Sequence, residues 1–138
     1  MHSSHRRKIV GLSELGYRTI GNGRNQIPDM SFFESRLTES GYQTLPSGMI
    51  IQWGRAIGQN PSGLSNDWSQ SSGAIQFAIP FTNQCVAITC SLDDGGANSQ
   101  WVAIAQTRVI DRYRAGLLVH TKYIPTRAPT VTYIAIGY

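Results

Sequence analysis

Few residues of this 138-residue chain have the types and spacing that catalysis requires. A hydrolase needs a nucleophile beside a base, or two carboxylates roughly 5–9.5 Å apart. Among the eight acidic residues only Asp93 and Asp94 are adjacent, and successive side chains of an extended loop point apart. We therefore expect no enzyme, no cofactor and no metal site. The Asp93–Asp94 pair is interpreted either as a turn former or as a hydrogen-bond acceptor for a ligand.

The polar and aromatic residues suit carbohydrate recognition better than catalysis. Charged residues make up only 14% of the chain, which is rich in Asn, Gln, Ser and Thr. Sugar rings stack their C–H faces on aromatic rings, and their hydroxyl groups need donors and acceptors nearby. Trp68 lies in a polar stretch with Asn66, so it either stacks on a sugar or packs beneath its own loop. His120 is either a surface residue or a ligand contact.

A basic run completes the set of candidate binding residues. Arg112, Tyr113 and Arg114 either clamp phosphates or acidic sugars, since arginine suits bidentate anion contacts, or they form a solvated turn. We expect binding from three loops, at 55–73, 92–100 and 108–116. The candidate binding residues are Trp68, Asn66, Asp93, Asp94, Arg112, Tyr113, Arg114 and His120.

The net charge of +4 gives weak support for nucleic-acid binding. Residues 1–40 and residues 41–138 each contain six basic and four acidic residues, so the excess is only +2 in either part. A nucleic-acid-binding domain usually concentrates its basic residues on one face, and we rank this function last. No apolar run reaches the roughly 18 residues of a membrane span, so we expect no membrane insertion.

The two cysteines are predicted to be free thiols. Cys85 and Cys90 are five residues apart in an apolar stretch. In a regular strand this spacing puts the sulfurs on opposite faces and the Cα atoms roughly 17 Å apart, beyond the reach of a disulfide.

The elements that must position these residues are β-strands. Residues 41–138 contain at least six short alternating segments separated by Gly, Pro, Asn and Asp, which predicts an all-β, antiparallel β-sandwich. Residues 1–40 lack a clean period. We interpret them as an irregular N-terminal connector with a short helix capped by Asp29 or Ser31.

The last strand is apolar on both faces. A two-faced apolar strand needs cover on both sides, so we expect one face in the core and the other at a subunit interface. The candidate interface residues are Tyr133, Ile134, Ile136 and Tyr138.

Four motifs resemble a known family. The runs GYQTLPSGMIIQWG (41–54), IPFTNQC (79–85) and YIAIGY (133–138) are similar to the C-terminal tip domain of tailed-phage and prophage tail-fibre proteins, and GNGRNQIPDM (21–30) resembles the stretch before it. The resemblance implies a homotrimer at the end of a virion tail fibre, joined to the fibre shaft by residues 1–40. It also implies an assembly chaperone, with folding in the host cytoplasm.

Two functions follow from the resemblance and the composition. The first is binding of a bacterial surface glycan, such as lipopolysaccharide, for host adsorption. The alternative is a structural domain that trimerises and registers the fibre chains without touching the receptor.

Overall fold

A computed structural model describes residues 13–63, 68–93, 103–122 and 128–138. Buried and exposed side chains alternate along much of the described chain, which forms mainly β-strands joined by short turns. Two 3-10 turns precede the main strands, at Glu14–Tyr17 and Met30–Phe33. The strands of the described residues are β1 (Ser35–Arg36), β2 (Gly41–Thr44), β3 (Ile50–Ile57), β4 (Ser62–Gly63), β5 (Trp68–Gln76), β6 (Cys85–Leu92), β7 (Ala103–Val109), β8 (Arg114–Lys122) and β9 (Thr130–Gly137).

The strands form two antiparallel sheets. The five-stranded sheet has the order β1-β2-β3-β9-β6, and the four-stranded sheet has the order β4-β5-β8-β7. The all-β antiparallel prediction is therefore confirmed. The sheets pack face to face around a core that includes Val131 and Ala135 of β9 and Leu117 and Val119 of β8.

The predicted loop at 55–73 is wrong, because β3 extends to Ile57 and β5 already begins at Trp68. The segment lacks apolar alternation because serines occupy its core-facing positions. Ser69 is buried and its hydroxyl lies 2.6 Å from the hydroxyl of Thr121 on β8, and buried Ser71 donates to the Gln59 carbonyl. Hydrogen bonding permits these polar groups in the core, so hydropathy alone does not reveal the strand.

A β-bulge changes the orientation of the cysteines. The register of β6 against β9 runs from Cys85 opposite Gly137 to Ala87 opposite Ile136, so Val86 is the extra residue. Cys85 and Cys90 therefore both face the core, and the predicted opposite orientation is wrong. Both thiols are free, and burial raises the pKa of each.

The segment before β2 lies at the β1 edge of the five-stranded sheet, where β1 pairs with β2. The Asp29 side chain accepts a hydrogen bond from the Ser31 backbone N–H at 2.9 Å, which confirms the predicted cap. The Asn22 side chain donates to the Pro46 carbonyl at 3.0 Å. This segment therefore reaches the turn between β2 and β3.

The two ends of the sandwich carry different features. At one end, the backbone N–H of Asn83 donates to the carbonyl of Tyr138. At the same end, the backbone N–H of Phe81 donates to the carbonyl of Arg112, in the turn between β7 and β8. We call this the Tyr138 end, and the turn between β2 and β3 also lies there, since β3 begins opposite Gly137. At the other end, the Asp93 N–H donates to Thr130 at the start of β9. We call this the Asp93 end.

Candidate functional site

The candidate binding residues do not form one site. Arg112, Tyr113 and Arg114 lie at the Tyr138 end, where β8 begins, whereas Trp68 pairs with Lys122, where β8 ends. Arg114 and Lys122 are eight positions apart in β8, so their Cα atoms are about 27 Å apart. Asn66 and Asp94 lie outside the described residues.

Trp68 lies on the outer surface of the four-stranded sheet. The neighbouring Ser69 faces the core, so the Trp68 side chain points outward, where it is half-buried. The Lys122 ammonium nitrogen lies 5.8 Å from the centre of the Trp68 ring, a distance at which a cation and an aromatic face attract each other. Trp68 thus belongs to a strand and not to the predicted polar loop.

His120 lies on the same outer surface, beside Gln70 of β5 and Ile104 of β7. We call this surface the polar face. The His120 side chain points outward, because Val119 and Thr121 on either side of it are buried. The outward side chains of the polar face are those of Trp68, Gln70, Ser72, Ala74, Gln76, Ile104, Gln106, Arg108, Arg114, Leu118, His120 and Lys122, and Gly116 occupies an outward position.

A cleft of about 320 Å³ lies in the polar face around Gly116. It is lined by parts of Gln106, Arg108 and Leu118, and Gly116 pairs with Ala74 on one side and Arg108 on the other. Sequence reasoning missed this cleft, since it assigned 108–116 to a loop. The signal was the alternation of Gln106 and Arg108 with the half-buried residues of β7.

Asp93 is half-buried, and its carboxylate is engaged within the fold. It lies 3.0 Å from the Arg55 guanidinium, which also pairs with Glu39 at 3.1 Å. These ion pairs connect the end of β6 to β3 and to the segment before β2. The carboxylate therefore has a clear structural partner, which favours a structural role for Asp93 over contact with a ligand.

The turn between β7 and β8 is closed by its own side chains. The Asp111 carboxylate accepts hydrogen bonds from the backbone N–H groups of Tyr113 at 2.8 Å and Arg114 at 3.0 Å. Arg112 donates to the Thr82 carbonyl at 3.1 Å, and its guanidinium lies 4.8 Å from the centre of the Tyr113 ring. Arg114 lies 3.6 Å from Asp111. Both arginines thus stabilise the turn, which favours the structural interpretation of this run.

The outer surface of the five-stranded sheet is apolar where β3 and β9 pair. Ile134 and Ile136 are 46% and 37% exposed, and they lie beside Trp53 and Ile51 of β3. We call these four residues, with exposed Tyr138, the apolar face. Tyr133 does not belong to it, because it is 5% exposed and packs in the core near Phe77. Its candidate role at an interface is therefore corrected.

Two features are absent from the described parts of the chain. There, no three His, Cys, Asp or Glu side chains come together in a way that would hold a metal ion. Over the same residues, no helix has the length and apolar character to cross a membrane.

Residues 44–138 match the protein family described as "Putative tail fiber protein gp53-like, C-terminal". In sequence, the chain is 25% identical over 121 residues to an uncharacterized protein of Methanocaldococcus jannaschii, covering 86% of this chain and 76% of that protein.

Solved structures of pyocin fibres, including an R1 fiber of P. aeruginosa, have a similar fold. An N-truncated R1-type pyocin tail fiber is 17% identical with a TM-score of 0.57, covering 98% of this chain and 95% of that one. A longer R1 pyocin fiber is 18% identical with a TM-score of 0.57, covering 76% of this chain. An N-truncated R2-type fiber is 20% identical with a TM-score of 0.55, covering 76% of this chain. This chain spans only 28% of the longer R1 fiber and 37% of the R2-type fiber.

Proposed function

The chain belongs to the gp53-like family of tail fibre proteins, through their C-terminal domain, and from this membership we propose that it is the receptor-binding tip of a homotrimeric fibre. In this proposal the tip attaches a phage or prophage particle to a glycan of the bacterial surface, such as lipopolysaccharide. Its role is adhesion, without catalysis and without a cofactor.

The observation that carries the proposal is the contrast between the two outer faces of the sandwich. The apolar face leaves Ile134, Ile136 and Tyr138 exposed in the single chain. Exposed apolar patches of this kind mark interaction sites, and two further copies would cover all three residues. The polar face would then remain on the outside of the trimer, where Trp68 and His120 are accessible to a sugar.

The segment before the sandwich supports an orientation of the tip. It contacts the turn that contains Pro46, at the Tyr138 end. If residues 1–40 join the shaft, the Tyr138 end faces the shaft and the Asp93 end faces away from it. Trp68 would then lie near the outer end of the fibre, and the turn of Arg112 would lie near the shaft.

Trimerisation would also compensate for weak individual sites. Three linked copies of one site raise the effective affinity by orders of magnitude without any new contact. A shallow site on each polar face is therefore sufficient for adsorption if the three faces engage one cell surface together.

The second candidate function is a purely structural domain that registers the fibre chains. The turn of Arg112 and the carboxylate of Asp93 favour it, because these groups are engaged in the chain's own contacts. In either case we propose that a chaperone assists folding in the host cytoplasm before the fibre joins the virion, since an uncovered apolar face favours aggregation.

The test compares two aromatic residues at opposite ends of the sandwich, Trp68→Ala and Tyr113→Ala. Adsorption of the purified chain to bacteria is measured beside its mass in solution. We expect both variants to remain trimeric and only Trp68→Ala to lose adsorption by tenfold or more. Unchanged adsorption by both variants would move the receptor contacts away from Trp68, and a chain that adsorbs to no bacterium would exclude the adhesin and favour the structural function.

A further inference from the structure

The cleft around Gly116 has the size and composition of a small ligand site. Its volume of about 320 Å³ lies at the lower end of the range for ligand pockets. The cleft exists because Gly116 has no side chain where the rest of β8 carries one. A Cβ there would meet its nearest neighbour, a methyl carbon of Ile110, at 3.7 Å, so the position has room for a side chain that the sequence does not supply.

Arg108 gives the cleft an exposed positive charge. Among the described residues Arg108 forms no ion pair, whereas Arg18, Arg55 and Arg114 each pair with a carboxylate. Lys122 lies farther along the same face, and no described outward side chain of the polar face is acidic. An exposed guanidinium in such surroundings is suited to a carboxylate or a phosphate, which it can bind through two parallel hydrogen bonds.

The remaining lining favours a sugar over a simple ion. Leu118 offers an apolar surface to the C–H face of a ring, and the amide of Gln106 can both donate to and accept from hydroxyl groups. Farther along the face, Gln70 and His120 precede the Trp68 ring. Lys122, the partner of Trp68, is six positions beyond Gly116 in β8, a span of about 20 Å. The polar face can therefore accommodate a linear saccharide that runs along β8.

We propose that the cleft binds an acidic saccharide, with Arg108 contacting its carboxylate or phosphate group and Gly116 leaving space for its ring. This inference rests on the proposed adhesin function and specifies its ligand class and its site. It moves the anion-binding role from Arg112 and Arg114, which stabilise a turn, to Arg108.

The experiment uses the full chain and three variants. Arg108→Gln removes the cation, Gly116→Val fills the cleft with a side chain that strands accept readily, and Arg114→Gln is the control that removes the same charge elsewhere on the face. Binding is measured to two pairs of immobilised probes. One pair is phosphomannan and neutral mannan, and the other is polygalacturonate and its methyl ester. Adsorption to whole bacteria and mass in solution are measured in parallel.

We expect the wild-type chain to prefer the acidic member of one pair, and the preferred pair identifies phosphate or carboxylate. Arg108→Gln and Gly116→Val should each lose about tenfold or more of probe binding and of cell adsorption, whereas Arg114→Gln should stay within about twofold, all as trimers.

Equal cell adsorption by all four proteins would refute the proposal that the cleft is the binding site, but it would not contradict the adhesin function. A greater loss in Arg114→Gln than in Arg108→Gln would do the same. A wild-type chain that adsorbs to no bacterium would overturn both proposals.

Discussion

Replacing Ile134 by Asp tests whether the apolar face is an interface between copies. Ile134 belongs to this face, beside Trp53, and remains 46% exposed in the single chain. Ile104 is a matched control, because it is also an outward isoleucine in a strand, is 51% exposed, and lies on the polar face of the other sheet. The two substitutions thus make the same chemical change at similar exposure on opposite faces.

The exposure of Ile134 sets the expected magnitude. Full burial of an isoleucine side chain contributes about 1.5–3 kcal/mol, so covering the remaining half contributes about 1 kcal/mol per copy. A carboxylate placed in a covered interface adds a desolvation penalty of several kcal/mol. Across three copies, Ile134→Asp should weaken the trimer by on the order of 10 kcal/mol, or about 10⁷-fold in the association constant.

The assay is the mass in solution of Ile134→Asp and Ile104→Asp between about 0.1 and 100 µM, with circular dichroism to establish that each variant retains its strands. We expect Ile134→Asp to be a folded monomer or an aggregate across this range, and Ile104→Asp to match the trimeric wild type. A trimer of unchanged stability in Ile134→Asp, or a monomeric wild-type chain, would refute the reasoning.

Two further expectations concern the core. Gln52 is fully buried, and its amide donates to the Ile79 carbonyl at 2.8 Å and accepts from the Ile79 N–H at 3.0 Å, so Gln52→Leu should lower the free energy of unfolding by about 2–4 kcal/mol. Urea denaturation measures this free energy, with the outward substitution Gln70→Leu as the control. Equal stability of the two variants would contradict the prediction. Burial raises the pKa of Cys85 and Cys90, so the folded state holds their protons more tightly than the unfolded chain. The protonated thiols stabilise the fold at pH values below the unfolded thiol pKa of about 8.5. This contribution is lost as the pH rises through the raised pKa values of the folded state. The melting temperature should therefore fall above about pH 8.5, less steeply in a Cys85→Ala, Cys90→Ala double variant, and parallel curves for both proteins would oppose this cause.

The fold class could be predicted from the sequence because strand alternation is local. The apolar positions of β8 and β9 recur every second residue, and this period alone specifies which side chains share a face. The same period shows that β9 is apolar on both sides, so the exposure of Ile134 follows from its sequence neighbours. The cap by Asp29 is also local, since it joins residues two positions apart.

What hydropathy did not reveal depends on contacts between distant residues. Ser69 belongs to a strand because Thr121, 52 residues later, supplies a partner for its hydroxyl. The two cysteines face the core because β6 gains an extra residue only in register with β9.

The position of the candidate site was decided in the same way. A run such as Arg112–Arg114 has the right residue types for anion binding, but the tertiary structure engages those groups in a turn. It places Arg108 beside Gly116 instead, through the pairing of β7 with β8. The sequence by itself determined that this chain forms strands and that the last one needs cover on both faces, since those properties depend on neighbours a few residues away. Which polar groups remain available to a ligand was decided only by the packing, because availability depends on what every other part of the chain already binds.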